Sequence, residues 1–175
     1  MNWDALLPTF ESFPVVLRAL VSPWSEQEVR RRPSPGAWSV LEICAHLVDE
    51  EREDFRPRIL TTLDDPDREW LPIDPEGWVE QRGYDQRRLS EVLEAFSEER
   101  RKSVELLRGL TEVNWDNAYQ HPALGTLRAG DLLSSWLSHD ALHLRQLARR
   151  HFERVQRETS PYDAGYAGPP EDWTS

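Results

Sequence analysis

Ser39-Val40-Leu41-Glu42-Ile43-Cys44-Ala45-His46-Leu47-Val48-Asp49-Glu50 is the stretch whose reading decides the fold class. Its first four residues have the S-x-x-E form, in which a serine hydroxyl and a glutamate carboxylate each satisfy the other's backbone N–H at a helix start. Behind that cap the apolar residues follow helical spacing and do not alternate, so an amphipathic helix is expected to run to about Leu60 or Thr62.

Working outward, Arg32-Pro33-Ser34-Pro35-Gly36 is a turn that neither a helix nor a central strand could cross. Ser25-Glu26-Gln27-Glu28 repeats the capping-box form and predicts a short helix. Before it, Leu6, Leu7, Phe10, Phe13, Val16, Leu17 and Leu20 share one side of a helix from Trp3 to Val21, closed by Ser22-Pro23. Downstream, Pro66, Pro72, Pro75, Gly77 and Gly83 mark residues 64–83 as a long connection. A third helix is expected from Gln86 or Ser90 to Leu110. A loop over 111–125 then leads to a fourth, capped by Thr126 and ending near His151. No alternating run bounded by turn dipeptides signals a strand. The expectation is an all-α, four-helix bundle with a long crossover between helices 2 and 3. It occupies residues 1–155, followed by a polar Pro- and Gly-containing tail, 156–175.

A chain of 175 residues with 38% hydrophobic content, eight of them Trp, can bury a real core in one domain. One cysteine, Cys44, excludes an internal disulfide. No secretion signal precedes the first helix and no apolar run reaches the ~20 residues needed to cross a bilayer, so a cytoplasmic protein without membrane association is expected. A net charge of −11 repels phosphate backbones and argues against nucleic-acid binding. The basic clusters Arg30-Arg31-Arg32 and Arg149-Arg150 are short and read as a solvated turn and a helix C-terminus.

The histidines carry the functional signal. On a wheel of about 100° per residue, His143 falls about 40° from His139, with Leu132 and Trp136 in the same sector. His46 likewise stands at the edge of an apolar arc: Glu50 is about 40° away, then come Ile43, Leu47, Val40, Cys44, Phe55 and Val48. An i, i+4 pair on one helix and a single donor on another make a three-point site if the helices are neighbours. Neutral imidazole suits zinc, nickel, copper or iron, and three protein ligands leave a coordination position open. The competing reading is three hydrogen-bonded histidines at a core margin.

The run from Trp38 to Leu47, the loop His121-Pro122-Ala123-Leu124-Gly125-Thr126-Leu127, and Ser138-His139-Asp140-Ala141-Leu142-His143-Leu144-Arg145-Gln146-Leu147 together resemble the DinB/YfiT-like metalloenzymes. The resemblance spans roughly residues 5–150. It implies an up-down-down-up bundle, often a homodimer, with one divalent metal ion, zinc or nickel, on a histidine triad that maps to His46, His139 and His143. Members of known activity include transferases and isomerases that use a low-molecular-weight thiol as cosubstrate. The resemblance therefore implies a metal-dependent, thiol-linked transferase or a hydrolase acting on a small-molecule substrate. A non-catalytic, metal-binding or dimerising stress-response protein is the alternative.

Glu50, one turn from His46, is the candidate catalytic residue, as a general base, a partner for a ligand or a fourth ligand. A salt bridge to Arg52, Arg56 or a neighbouring helix is the competing reading, and Glu53 is a weaker candidate. Asp140 points about 100° away from His139 and is not expected to coordinate. His139-Asp140-Ala141-Leu142-His143 lacks the glutamate and downstream third ligand of a zinc protease. His121 is expected exposed in its loop, with a place at the site entrance as the alternative, His151 at a helix end, and Cys44 buried and inert. Trp38, Trp78 and Trp136 are candidates for an apolar wall or for core.

Overall fold

The computed structural model describes residues 5–168. Helix α1 (Leu7–Val21) starts with proline in its first turn, and Trp3, where the sequence suggested a start, lies outside the described residues. The short α2 (Glu26–Val29) is capped by Ser25, whose hydroxyl accepts the Glu28 N–H. The second long helix is built in three parts: α3 (Val40–Asp49), a π-helical segment (Glu50–Phe55) and α4 (Arg56–Asp64). Its capping box is present in full, with Ser39 Oγ accepting from Glu42 N at 3.2 Å and Glu42 Oε2 from Ser39 N at 2.7 Å. The crossover is not bare loop, since it contains α5 (Pro75–Gln81) and a 3-10 turn (Tyr84–Gln86). Helix α6 (Leu89–Gly109) and helix α7 (Ala129–Glu158) complete the bundle, α7 running two turns past the expected end near His151.

Contacts between the helices fix their directions. Phe10 and Phe13 of α1 meet Arg100 and Phe96 of α6, so these run antiparallel. Glu51 pairs with Arg100, and Arg56 with Glu99 and Ser103, so the second long helix and α6 are parallel. His46 faces His143 while Phe55 stacks on Trp136, which makes the second helix and α7 antiparallel. The order is up-down-down-up, and the crossover exists because two parallel consecutive helices need a chain that returns the full bundle length. Asp49 anchors that return: its Oδ2 accepts from Tyr84 Oη at 2.6 Å and pairs with Arg82 at 3.0 Å.

The structure corrects one expectation in the second loop. Ala118–His121 (β1) and Gly125–Arg128 (β2) form an antiparallel hairpin, with Tyr119 opposite Leu127 and His121 opposite Gly125. Thr126 therefore sits in a strand, and Asp131 caps α7 by accepting the Arg128 N–H at 3.1 Å. Two four-residue strands carry too little alternation to read, and the turn lacks an Asn-Gly signal.

Two apolar clusters fill the bundle, one around Leu17, Leu41, Ile43, Phe96 and Leu147, the other around Phe10, Ile59, Leu107, Leu133 and Trp136. All four helices change cluster at one level, between residues 10 and 13, 48 and 55, 96 and 104, and 136 and 147. At that level lies a buried polar belt. Arg100, 2% exposed, donates to Glu51 at 2.8 Å, to both Asp140 oxygens at 2.6 and 2.8 Å, and to the Phe10 carbonyl at 2.8 Å. Pro14, four residues on, has no N–H to fill that carbonyl, so α1 offers Arg100 a free acceptor. No helix among the described residues is long and apolar enough to cross a membrane.

Candidate metal centre

The belt contains all three histidines singled out by spacing. His46 enters from the last turn of α3, and His139 and His143 from successive turns of α7. A nitrogen of each ring lies within 4.8 Å of the others. His46 and His143 are buried, and His139 is half-buried and the most open of the three. Trp38 packs on His46 with ring centroids 4.8 Å apart, and Phe55 on His139 at 5.0 Å, so two aromatics hold the imidazole planes.

The donor set fits a divalent cation on three grounds. First, the rings are neutral: burial, reinforced by the neighbouring histidines, pushes His46 down to about 2. Burial, with the charges of His143 and Arg100, pushes His139 to about 3, and burial also lowers His143. Second, one tautomer is set from outside. Nδ1 of His143 donates to Gln146 Oε1 at 2.8 Å, which leaves its Nε2 as a lone pair. Third, that Nε2 lies 2.9 Å from Nε2 of His139, a separation that needs a proton or a cation to relieve lone-pair repulsion. His46 Nδ1 is buried without a hydrogen-bond partner.

Glu50 is the carboxylate beside this centre. Its Oε1 stands 3.7 Å from His46 Nδ1 and is buried with no hydrogen-bond partner. The competing salt bridges are absent because Arg52 and Arg56 both turn to Glu99, at 3.0 and 2.6 Å. Burial, then the charge and hydrogen bond of Asp54, pushes Glu50 up to about 9, while Arg58 opposes the shift. Asp54, itself raised by burial, is paired with Arg58 at 2.9 Å. Glu53 lies elsewhere, bound to Arg82 at 2.6 Å.

The remaining candidates have other work. Asp140 is turned away from the triad and held by Arg100. His121 is half-buried, and its Nδ1 accepts the N–H groups of Ala123 and Leu124, both at 3.1 Å, closing the hairpin turn. His151 is exposed near Trp24. Cys44 is fully buried, which pushes its thiol up to about 12. Trp136 and Trp78 are core, and of the three named tryptophans Trp38 alone touches the triad. The sequence reading missed Asp54 and Gln146. Both had a signal: Gln146 follows His143 by three residues and Asp54 follows Glu50 by four, the spacings that bring helical side chains together.

A family model of the DinB superfamily matches residues 9–147, taking in parts of all four long helices and every triad histidine. The chain belongs to the DinB superfamily. Among curated proteins it is similar to YfiT of Bacillus subtilis (strain 168), described as a probable metal-dependent hydrolase. The two are 24% identical over 151 residues, covering 84% of each chain. The solved structure of that YfiT, an unusual four-helix bundle topology, superposes with a TM-score of 0.73 at 22% identity, covering 85% of this chain and 86% of the other. That likeness supports the bundle seen here.

Proposed function

We propose that this DinB-superfamily protein is a metal-dependent hydrolase of a small molecule, with His46, His139 and His143 as the metal ligands. The observation that carries the reading is the pairing of a neutral three-histidine cluster with the buried carboxyl of Glu50, whose Oε1 has no hydrogen-bond partner. Three ligands are what a reactive centre uses, since a closed structural site uses four. A divalent ion held there supplies Lewis-acid chemistry, acidifying water towards neutrality and polarising a carbonyl or phosphoryl oxygen. Zinc and nickel both suit an all-imidazole donor set.

The chain's own residues supply the rest. Gln146 keeps His143 in the liganding tautomer, and Trp38 and Phe55 keep water from the flanks of the rings. A divalent cation held beside Glu50 would favour its ionised form, in which Oε1 would take a proton from the attacking water and return it to the leaving group. Asp54, itself paired with Arg58, hydrogen-bonds Glu50. The likeness to YfiT, itself described as a metal-dependent hydrolase, supports hydrolysis as the first assay. Thiol-linked transfer is the second reading, because an open metal position flanked by a base would equally activate a small thiol.

The test is metal content together with turnover. Protein freed of metal and reloaded should bind one equivalent of zinc or nickel, and His143→Ala should lose it. A panel of esters, amides and phosphoesters, assayed with and without a small thiol, should show turnover that disappears on chelation. Absence of stoichiometric metal binding would sink the proposal. Full binding without turnover on any panel member would favour a non-catalytic role.

A further inference from the structure

The second long helix carries a row of polar side chains four residues apart: His46, Glu50, Asp54, Arg58 and Thr62. In an ideal helix such a row drifts about 40° per step. The wider turns of Glu50–Phe55 take part of that drift back, and Glu50, Asp54 and Arg58 follow one another in contact. Among the described residues six buried side-chain atoms have no hydrogen-bond partner, and four stand on this row: His46 Nδ1, Glu50 Oε1, Arg58 Nε and Thr62 Oγ1. A fifth, Trp70 Nε1, belongs to an indole packed on Arg58, its centroid 4.7 Å from the guanidinium carbon. The unpartnered atoms therefore lead from the triad to one place beyond it.

That place is walled by both long connections. Trp70 comes from the crossover and stacks on Tyr119 of the hairpin, with centroids 4.1 Å apart. Asn117 ties the hairpin to α4 through the Leu63 carbonyl at 3.0 Å. Asp54 holds the Arg58 guanidinium by Nη1 at 2.9 Å and the indole lies against it, which leaves the Nε edge over. Thr62 is 0% and Trp70 8% exposed. Indole and guanidinium nitrogens only donate, and a hydroxyl donates readily, so the group that completes this place is an acceptor. The charge of Arg58 is already met by Asp54, which favours an uncharged oxygen over a second buried carboxylate.

We infer that Arg58, Thr62 and Trp70 form a second subsite of the metal centre, taking an uncharged carbonyl oxygen on the part of the substrate remote from the bond that reacts. The assignment rests on the metal-dependent reading and names its substrate class. That class is an elongated small molecule with an amide or ester carbonyl at most about 12 Å beyond the reacting group, the rise from Glu50 to Arg58.

Hydroxamates test the span, because the hydroxamate end holds a divalent ion while the far end is varied. The probes are the monohydroxamates of the straight-chain dicarboxylic acids from succinic to sebacic, each with a primary amide at the far end. Chains of equal length ending in isopropyl or carboxylate are the controls, and acetohydroxamate reports on the metal alone. Calorimetric titration of the metal-loaded protein should show the amide binding about tenfold tighter than the isopropyl compound at one chain length, and less so on either side. Thr62→Val, an isostere without the hydroxyl, and Trp70→Phe, an aromatic without the N–H, should each reduce that ratio about threefold or more. Acetohydroxamate affinity and metal content should stay unchanged in both. A ratio below about twofold at every length, a ratio that both variants leave intact, or tighter binding of the carboxylate series would each overturn the subsite while the metal reading stands. Failure of acetohydroxamate itself to bind would overturn the metal reading and the subsite with it.

Discussion

Glu50 has a cost and a use that separate cleanly. Its folded value of about 9 lies above the ordinary 4.5, so the ionised form is disfavoured by folding. For a raised carboxylate the contribution to stability is present below pH 4.5 and is lost as pH rises towards 9. Glu50→Gln should therefore stabilise the metal-free protein at pH 8, by on the order of 1–3 kcal/mol, seen as a higher denaturant midpoint. The same change should leave metal stoichiometry intact and lower kcat about 100-fold or more. If kcat is unchanged, Glu50 is not the base. Gln146→Ala should act more mildly, weakening metal affinity about tenfold in a competition titration by freeing the His143 tautomer.

At the scale of elements, the π-helical segment explains why the helical wheel worked at Glu50 and failed at Phe55. An ideal wheel sets Phe55 about 180° from His46. The wider turns of Glu50–Phe55 rotate each residue less, and Phe55 arrives beside His139, on the triad's side. Next to it, Arg100 ties three helices at the level of the metal centre. Removing it leaves Glu51 and Asp140 buried without a counter-charge. Arg100→Met should cost about 3–5 kcal/mol of unfolding free energy, measured by urea titration. A loss below about 1 kcal/mol would mean that water reaches the belt. Pro14 belongs to the same device, since it withholds the helical N–H from the Phe10 carbonyl that accepts from Arg100.

Over the whole molecule, pH and metal pull on the same three rings. The triad's folded values, about 2 for His46, about 3 for His139 and lowered for His143, lie below the ordinary 6.5. For a depressed histidine the unfolded chain takes up the proton first. The stability of neutral burial is thus full above pH 6.5 and is lost as pH falls from there towards 3. Glu50 opposes this with one group against three. Metal-free protein should lose on the order of 1–2 kcal/mol between pH 6.5 and 5.5, read from urea midpoints. Metal-loaded protein should melt higher at pH 7 and release its ion over the same interval, because protons compete for the lone pairs. A flat profile in the metal-free protein would show the rings to be solvated.

The sequence by itself determined that the chain is helical, that a capping box opens the second long helix at Ser39, and that His46, His139 and His143 stand at apolar margins. Those are local properties, set by hydrogen bonds three or four residues apart and by the period of apolar side chains. Membership of an up-down-down-up family was legible too, from motif order. Only the tertiary structure decided that the second and fourth long helices are neighbours, which turns three separate imidazoles into one cluster. It also decided that Arg52 and Arg56 choose Glu99 and leave Glu50 to His46, and that Trp70 of the crossover packs on Arg58. Side chains a hundred residues apart meet only when the core is closed, and their partners are settled by burial, where an unpaired charge is most costly.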